Sequence, residues 1–590
     1  MGGFLALFWN AEDDLAASEA RAVEARVTAT SGWTSIHRDA DVRIWGRGRK
    51  HPTVYGQGSV LAVGICLRHG SCEPVRVADL HPHVTARATA ERLCRESWGA
   101  YVGLLQDGTT RSLFRDPSGG LECFTWSIGR VRLVTSQAGP PDAGLFPPRA
   151  TLNWDVIASW TVDRGQGAIA SGLDGIEIVP PGCLLRPGAA ERGPTLIWRP
   201  SKVASTFDGR DVAEALVDSV GLAVEGLIGA HDLVLDELSG GLDSAVVAAS
   251  IVQRGLAPRV ATCLNYFGDR AESDERRYAR AAAEHLGLPL TCVAKPVNAL
   301  TEVDFVEVAR GLRPGFPATD PARDRDTAAR LETSGASALV TGHGGDLVFF
   351  QMPTPLVAAD RLQTDGLRGL SAAYLGDVAR FTRKPVWSIL GGLARPSRLD
   401  LYKQSELMRG AYSAPFAVDP WTEDTKSLLP AKRLQVTSLF SAQLARGWSR
   451  REAAADILNP LLAQPVVEFC LGLPVSVLVE GGRDRALVRR AFRHRLPALL
   501  VDRRSKGELN AHYGRMIAAS LGYLRPLLLD GCLVEAGLLD RPALESALTP
   551  EHLILDRSAS EILFAAVIEN WVRWWQTRVP DSPQASRPRP

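Results

Sequence analysis

The hexapeptide Ser-Gly-Gly-Leu-Asp-Ser, which begins at Ser239, contains residue types that could hold a chain of phosphates. Small residues at Ser239, Gly240 and Gly241 would let the backbone wrap around an anion, and the amide groups of a following helix would add positive partial charge. Asp243 could hold a magnesium ion that bridges phosphates, and Ser244 could donate to a phosphate oxygen. Because the sequence has no Gly-x-x-x-x-Gly-Lys pattern, this is not a Walker A loop. We therefore expect a nucleotide-phosphate loop of another type, rather than an ordinary Gly-Gly turn.

The elements around this hexapeptide follow the order strand, helix, strand, helix, strand. Apolar strands are predicted over 232–238, 259–267 and 290–296, and a charged helix over 273–287. The hexapeptide falls between the first strand and the apolar helix that follows it. This alternation is typical of a parallel doubly wound sheet. We predict an α/β fold here, followed by a mostly helical region over 320–575.

The first 200 residues or so have a different pattern. Short strands alternate with turns rich in Gly, Asp and Pro, and a helix is centred on 85–98. We predict strands within 42–48, 58–70, 101–120, 122–136 and 176–188. The pattern indicates a layered α+β domain over 1–205, a second domain over 206–578, and a Pro-rich, disordered tail over 579–590.

The composition argues against several functions. The chain has 590 residues, and its 67 basic and 66 acidic side chains leave a net charge of +1, without the basic excess of a general nucleic-acid binder. No apolar run approaches the roughly 18 residues that cross a bilayer, and the chain start lacks the basic region of a signal peptide. The nine cysteines are scattered without C-x-x-C spacing. We expect a reduced, cytoplasmic protein.

Segments along most of the chain resemble the asparagine synthetase branch of the ATP pyrophosphatases, in the order that this family has. The hexapeptide is similar to the family's pyrophosphate loop, and matching segments follow at 340–350, 459–474 and 482–508. The resemblance implies an adenine-nucleotide α-hydrolase-like synthetase domain. Such a domain uses ATP and Mg²⁺ and releases AMP and pyrophosphate.

The resemblance also implies roles for single residues. Asp346 matches the position of a second magnesium ligand beside Asp243, and Lys506 matches the lysine placed on the reacting phosphate and the tetrahedral intermediate. A cation at a developing oxyanion is typically worth about 3–4 kcal/mol. The backbone around Leu264 would read the edge of adenine. The alternatives are that Asp346 is an ordinary turn aspartate and Lys506 a surface cation.

The resemblance extends to the N-terminal part, with one departure. Segments 114–124 and 178–182 resemble turns of the family's glutaminase domain, which is an Ntn-hydrolase-like, class II glutamine amidotransferase-like sandwich. That domain normally carries a cysteine nucleophile directly after the initiator methionine, but this chain begins Met1-Gly2-Gly3. Glycine has no thiol, so no glutamyl intermediate could form and no ammonia would be released. We expect a structural remnant or a binding surface.

A synthetase without its own ammonia source needs another nucleophile, and an amine already on the substrate is the simplest. Two such subfamilies are the β-lactam synthetases and the lasso peptide macrocyclases, which join a peptide's N-terminal amine to an Asp or Glu side chain. Segments 115–124, 342–346 and 460–465 are closer to the second. The resemblance therefore implies a lasso peptide cyclase that forms a macrolactam through an acyl-adenylate.

The attacking amine must lose a proton. His343 and Asp456 match positions near the reaction centre of the β-lactam and asparagine enzymes. A His–Asp pair would suit a general base, because histidine titrates near neutral pH. The alternative is that His343 is a more distant contact and that Asp456 caps or pairs on its helix. The remaining histidines lie in no motif and are expected at the surface or in the core, among them His81, His83, His494 and His512.

Other functions stay open at this point. A β-lactam synthetase-like enzyme with a small amino acid substrate would share every ATP-site residue, and an asparagine synthetase could use free ammonia. A non-catalytic scaffold that binds a peptide is an alternative of another class. For a lasso cyclase, the resemblance implies a precursor peptide as substrate and a leader peptidase and a leader-recognition protein as partners, with neither nucleic acid nor a membrane.

Overall fold

The computed structural model describes residues 2–580, except 81–84, 140–143, 163, 189–192, 205–210, 316–318, 394–406, 408–418, 505–509 and 556–558. The strands before residue 200 are β1 (Phe4–Phe8), β2 (Thr34–Arg38), β3 (Val42–Gly46), β4 (Thr53–Gln57), β5 (Val60–Arg68), β6 (Ser97–Asp107), β7 (Thr110–Arg115), β8 (Phe124–Ile128), β9 (Val131–Thr135), β10 (Glu177–Ile178), β11 (Cys183–Leu185) and β12 (Thr195–Leu196). The helices of this part are α1 (Asp14–Ala29), α2 (Ala86–Glu96), α3 (Trp154–Val162) and α4 (Pro200–Val203).

These strands form two antiparallel sheets that pack against each other. The order is β10-β8-β9-β1-β3-β2 in the first sheet and β12-β11-β7-β6-β5-β4 in the second. Phe4 and Ile44 of the first sheet share an apolar core with Leu61 and Val102 of the second. Successive side chains of a strand point to opposite faces, so each sheet keeps a second face for helices. The predicted layering of strands and helices is therefore present.

The strands after residue 230 form one parallel sheet in the order β15-β14-β13-β16-β17. They are β13 (Val234–Glu237), β14 (Val260–Phe267), β15 (Leu290–Ala294), β16 (Ala338–Val340) and β17 (Asp456–Leu458). The helices around it are α5 (Val212–Gly229), α6 (Leu242–Gln253), α7 (Arg276–Leu286), α8 (Glu302–Ala309), α9 (Pro321–Ser334) and α10 (Gly345–Val348). Because all neighbouring strands run parallel, their carboxyl ends share one edge, where α/β sheets bind ligands. The predicted α/β arrangement is confirmed.

The rest of the described chain is helical, as predicted. Its helices are α11 (Leu356–Asp365), α12 (Ala372–Thr382), α13 (Val386–Leu393), α14 (Pro420–Asp424), α15 (Pro430–Ser441), α16 (Arg450–Ala454), α17 (Gln464–Gly472), α18 (Val475–Leu478), α19 (Ala486–Ala491), α20 (Ala498–Val501), α21 (Asn510–Ala519), α22 (Leu521–Leu529), α23 (Cys532–Glu535), α24 (Arg541–Ala547), α25 (Pro550–Leu555) and α26 (Ala559–Gln576). The strands β16 and β17 interrupt this region. They were not predicted, because a strand of three residues is too short to show an alternating pattern.

The antiparallel sheets and the helical region share one core. Trp160 of α3 packs edge-on against Trp571 of α26, with 5.1 Å between ring centroids. Leu5 and Leu7 of β1 lie in the same cluster as residues of α22 and α26. The predicted boundary at 205 falls within 205–210, outside the described residues.

Hydrogen bonds fix the start of helix α5 and the start of the predicted tail. Asp211 caps α5, and its carboxylate accepts from the Ala213 amide at 3.1 Å. Of the predicted tail, Val579 is buried and the Pro580 carbonyl accepts from the Leu152 amide at 2.9 Å, so these two residues belong to the packed chain. Residues 581–590 lie outside the described residues.

All nine cysteines are free thiols. Along the described residues, no single helix is both long and apolar enough to cross a membrane, although two bent helix pairs pass the test of length and composition together.

Candidate active site

The predicted phosphate loop connects β13 to α6 at the carboxyl edge of the parallel sheet. Gly240 adopts a φ of +85°, which an L side chain rarely adopts. A Cβ atom at this position would also stand 2.7 Å from the Glu275 carbonyl oxygen. The turn therefore requires glycine at position 240, where the motif has it.

Hydroxyl groups close the phosphate loop on itself. The Ser239 and Ser244 hydroxyls are 3.1 Å apart, and the Ser244 hydroxyl accepts from the Ser239 amide at 3.2 Å. The Gly241 amide donates to the Ser239 hydroxyl at 3.2 Å, and the Ser244 hydroxyl donates to the Gly241 carbonyl at 3.2 Å. Ser244 is buried, so it shapes the loop from within, whereas Ser239 is exposed and available to a ligand.

The Gly-His-Gly-Gly-Asp loop lies directly on the phosphate loop. A Cβ atom on Gly342 would stand 2.5 Å from the Ser244 amide nitrogen, and one on Gly345 would stand 2.5 Å from Asp243 Cβ. On its other side, Gly344 touches Leu462 of the predicted Pro-containing segment. Three segments that are far apart in sequence therefore meet at one edge, because glycine lets their backbones approach closely.

The two predicted metal ligands lie on these contacting loops. Asp346 directly follows Gly345, whose backbone touches Asp243. Two carboxylates are a typical protein contribution to a Mg²⁺ site, in which substrate phosphates and water supply the other ligands. The described residues contain no group of three or more His, Cys, Asp or Glu that could hold a metal ion by itself. Magnesium binding by Asp243 and Asp346 therefore stays a prediction.

Arg485 contacts the phosphate loop and was missed in the sequence. Its Nη1 donates to Asp243 Oδ2 at 2.8 Å, and its Nε donates to Asp484 at 2.9 Å. The side chain is 6% exposed, and the backbone has a φ of +51°, which is uncommon for a residue other than glycine. A planar, always charged guanidinium is well suited to phosphate oxygens. The positive φ gives no sequence signal, so Arg485 could not be singled out within its arginine-rich segment.

A second missed residue, Glu237, ends β13 just before the loop. Arg323 Nη2 lies 2.6 Å from Glu237 Oε2, and Arg451 Nη1 lies 3.8 Å from Oε1. Burial alone would raise the pKa of Glu237, but the charges of Arg323 and Arg451 outweigh it and hold this pKa below its usual range. Glu237 is therefore an ionised anchor that ties α9 and α16 to the end of the central strand.

The predicted His343–Asp456 dyad is not formed. Asp456 pairs in register with Ala338 at the start of β16, and its Oδ2 lies 3.7 Å from Nε2 of His231. His343 comes after the end of β16, and its Nε2 lies 3.3 Å from the Ala442 carbonyl oxygen. The two side chains are at opposite ends of the parallel strands, because Asp456 begins a strand that the sequence pattern did not reveal. Burial lowers the pKa of His343.

Leu264 itself is engaged within the sheet, and the reading of adenine by the backbone around it stays a prediction. Its side chain is buried, and its carbonyl accepts from the Leu238 amide at 3.0 Å. Leu264 lies within β14, which has partner strands on both sides, so its backbone serves the sheet.

Lys506 lies outside the described residues. The chain on both sides of it is held at the same edge of the sheet. Arg503 Nη1 donates to the Gly240 carbonyl at 3.0 Å. Beyond the gap, Arg515 of α21 pairs with Asp269, with 2.6 Å between Nη2 and Oδ1.

The backbone at Gly2 leaves no space for a side chain. A Cβ atom there would stand 1.5 Å from the Arg47 carbonyl oxygen. The Gly2 amide also donates to the Lys50 carbonyl. A thiol could not be placed at residue 2 without moving this backbone.

Comparison with known proteins gives one match among curated relatives. The microcin J25-processing protein McjC of Escherichia coli is 22% identical over 255 residues, which cover 42% of this chain and 43% of McjC. The match thus spans less than half the length of that relative. Solved structures that match include U34-tRNA thiolase NcsA from Methanococcus maripaludis, at 14% identity over 40% of this chain and 85% of that one, with a TM-score of 0.19. The allosteric regulatory enzyme of purine biosynthesis is 10% identical over 51% of this chain and 76% of its own, with a TM-score of 0.19.

The asparagine synthase family model matches residues 223–573, which is more than half of the chain. The matched range contains the phosphate loop, the Gly-His-Gly-Gly-Asp loop and the strands of the parallel sheet. This confirms the resemblance found in the sequence. The chain belongs to the asparagine synthase family of ATP-dependent amide ligases.

Proposed function

We propose that this chain closes a macrolactam between the N-terminal amine of a peptide and an Asp or Glu side chain of the same peptide, giving a lasso peptide. The observation that supports the ligase chemistry is the contact between Gly345 and Asp243, through which the loop that carries Asp346 lies against the phosphate loop. The choice of a peptide substrate rests on the likeness to McjC, whose name describes processing of microcin J25.

The proposed reaction has two steps. The substrate's side-chain carboxylate attacks the α-phosphorus of ATP and pyrophosphate leaves. The peptide amine then attacks the acyl-adenylate, an amide bond forms and AMP leaves. The phosphate loop binds the triphosphate through its amide groups and the Ser239 hydroxyl, while Arg485 contacts phosphate oxygens. Asp243 and Asp346 would hold Mg²⁺, which neutralises phosphate charge. Lys506 would stabilise the negative charge that develops in one or both steps.

We further propose that residues 1–205 are a degenerate glutamine amidotransferase-like domain. Two packed antiparallel sheets and the closed backbone at Gly2 support a domain that keeps its layers and lacks a nucleophile. The ligase would then use an amine on its own substrate. Holding two ends of one peptide together can supply about 7–11 kcal/mol of barrier reduction in ideal cases.

The proposal includes partners and a location. The substrate is a precursor peptide, so a leader peptidase must free its N-terminal amine and a leader-recognition protein must deliver it. We place these steps in the cytoplasm, where ATP is available, without nucleic acid or a membrane.

The test is mass spectrometry of a leaderless candidate peptide incubated with the full chain, ATP and Mg²⁺. We expect the loss of one water together with AMP formation, and resistance of the product to carboxypeptidase. Asp243→Asn should abolish both signals. Asp218→Asn is the matched control, because Asp218 lies on the exposed side of α5 with its side chain 77% exposed.

Two other outcomes would overturn the proposal. AMP formed with ammonia and aspartate, or with a small amino acid, and no water loss from peptides would favour an asparagine synthetase-like or β-lactam synthetase-like ligase. No AMP with any acceptor would favour a peptide-binding scaffold.

A further inference from the structure

A cavity of about 220 Å³ lies at the carboxyl edge of the parallel sheet, beyond the ends of β14 and β15. Its walls come from the ends of these strands, the start of α9 and one face of α21. Residues that line it include Tyr266, Lys295, Asp320, Arg323 and His512. In the described part of the chain, its lining includes neither the phosphate loop nor the Gly-His-Gly-Gly-Asp loop. The cavity is therefore a compartment beside the nucleotide site.

One ion pair connects the cavity to the nucleotide site. Arg323 lines the cavity and pairs with Glu237 at 2.6 Å, two residues before Ser239. On the opposite wall, the pair between Arg515 and Asp269 fixes α21 to the segment that follows β14. The first pair thus ties the cavity to the segment that leads into the phosphate loop, and the second fixes the helix that carries His512.

The His512 ring is the unexplained group in this cavity. The residue is 2% exposed, and its Nδ1 is buried without a hydrogen-bond partner within the described residues. Buried polar atoms nearly always have a partner, since an unmade hydrogen bond of this kind costs about 1–3 kcal/mol. A buried ring nitrogen without a partner, on a residue that lines a cavity at the ligand-binding edge, is consistent with a partner that arrives with the substrate.

The surroundings keep this imidazole neutral. Burial lowers the pKa of His512, and the positive charges of Lys295 and Arg515 lower it further, against the opposing effects of Asp320 and Asp269. Lys295 and Asp320 are themselves ion-paired, and the Tyr513 ring lies edge-on, 5.8 Å from the His512 ring. A neutral imidazole can accept a proton at physiological pH.

We propose that His512 is the general base that takes the proton from the attacking peptide amine in this cavity. The inference rests on the proposed function and replaces the His343–Asp456 pair, which the fold separates. In the step concerned, the amine nitrogen forms a bond to the acyl carbon and the bond from that carbon to the AMP oxygen breaks. AMP leaves with the electron pair, and the proton of the attacking nitrogen passes to His512 Nδ1.

The experiment separates adenylation from amide formation. A peptide with an acetylated N-terminus can be adenylated and cannot cyclise, so it reports the first step through ATP–pyrophosphate exchange. His512→Asn keeps a polar group near the Nδ1 position and cannot act as a base. We expect normal exchange with this variant and amide formation slowed by about 10²–10⁴-fold, the usual contribution of a general base.

The pH profile supplies a readout that a structural role would not change. In the unmodified enzyme, amide formation should fall at acidic pH, where His512 becomes protonated, and this fall should lie below the ordinary histidine range because burial lowers the pKa of His512. His512→Asn should lose this acidic decline in rate. It should keep the decline that comes from protonation of the substrate amine, whose pKa in a typical peptide is about 7.7–8.0. Imidazole added to His512→Ala should restore part of the rate.

His494→Gln is the matched control, because His494 is exposed and outside the cavity lining. The proposal is overturned if His512→Asn forms amide at the normal rate with an unchanged pH profile. It is also overturned if His343→Gln removes the acidic limb and His512→Asn does not. Failure of the proposed function would look different, since the unmodified chain would then give neither exchange nor water loss with any peptide.

Discussion

Gly345 and Asp243 are in contact so close that a methyl group on Gly345 would stand 2.5 Å from Asp243 Cβ and 2.8 Å from its Oδ1. The contact fixes the spacing between the loop that precedes α6 and the loop that begins α10. These loops start about one hundred residues apart in sequence, and they meet because they follow β13 and β16, which are neighbours in the parallel sheet. The fold therefore sets the spacing between these loops, and the proposed chemistry of Asp243 and Asp346 depends on that spacing.

Gly345→Ala should push the two loops apart and strongly reduce adenylation. A misplacement of about 1 Å in a reacting assembly can lower a rate by about 10²-fold. The measurement is ATP–pyrophosphate exchange with the full chain. Gly522→Ala is the control, because a Cβ atom on Gly522 would meet no atom within 4 Å, and equal rates for the two variants would contradict the prediction.

Arg485→Gln should weaken ATP binding while leaving the fold in place. The change removes the guanidinium that lies 2.8 Å from Asp243 Oδ2 and should raise the KM for ATP about tenfold, which corresponds to about 1.4 kcal/mol. Arg490→Gln offers a comparison on α19, the helix that follows Arg485, since the Arg490 side chain is 50% exposed and pairs with Glu480. An unchanged KM for ATP with Arg485→Gln would remove Arg485 from the site.

Asp456→Asn should leave both reaction steps nearly unchanged. Its carboxylate lies beside His231 at the amino end of β17, away from the edge at which the glycine-rich loops meet. We expect exchange and amide formation within about twofold of the unmodified enzyme, as for a surface change that avoids the reacting groups. A loss of amide formation with normal exchange would instead restore the dyad that the sequence suggested.

Asp236 predicts a pH dependence of stability. Burial raises the pKa of Asp236 to about 7 from an ordinary value of 3.8, against a hydrogen bond from the Cys263 thiol that lowers it. The folded chain therefore holds this proton at pH values where the unfolded chain has released it, so stability falls as pH rises from about 4 to about 7. Asp236→Asn should remove this dependence.

The measurement for Asp236 is the thermal unfolding midpoint at several pH values. The difference between Asp236→Asn and the unmodified chain should grow in favour of the variant between pH 4 and pH 7, in the range set by the two pKa values. Asp218→Asn, which changes an exposed carboxylate, should show no such trend. A constant difference across this range would show that Asp236 is ionised in the folded chain.

The sequence predicted the parallel sheet and the loop glycines because both leave local signals. Three of the five strands are long enough to read as apolar runs, and Gly240 stands where its positive φ demands it. The position of Asp456 could not be predicted, because β17 has three residues and its register depends on β16. His512 and Arg485 carry no motif, and their significance comes from burial and from partners far away in the chain.

The packing of α26 has a consequence for the order in which the chain becomes stable during synthesis. Trp571 packs against Trp160, and the Phe146 ring stacks on Trp575 at 5.1 Å between centroids. The layers made first therefore keep an open apolar face at Trp160 and Phe146 until α26 has been made. An exposed apolar face of this kind invites aggregation. We infer that the N-terminal layers and the helical region that contains α26 cannot be produced as separate soluble fragments.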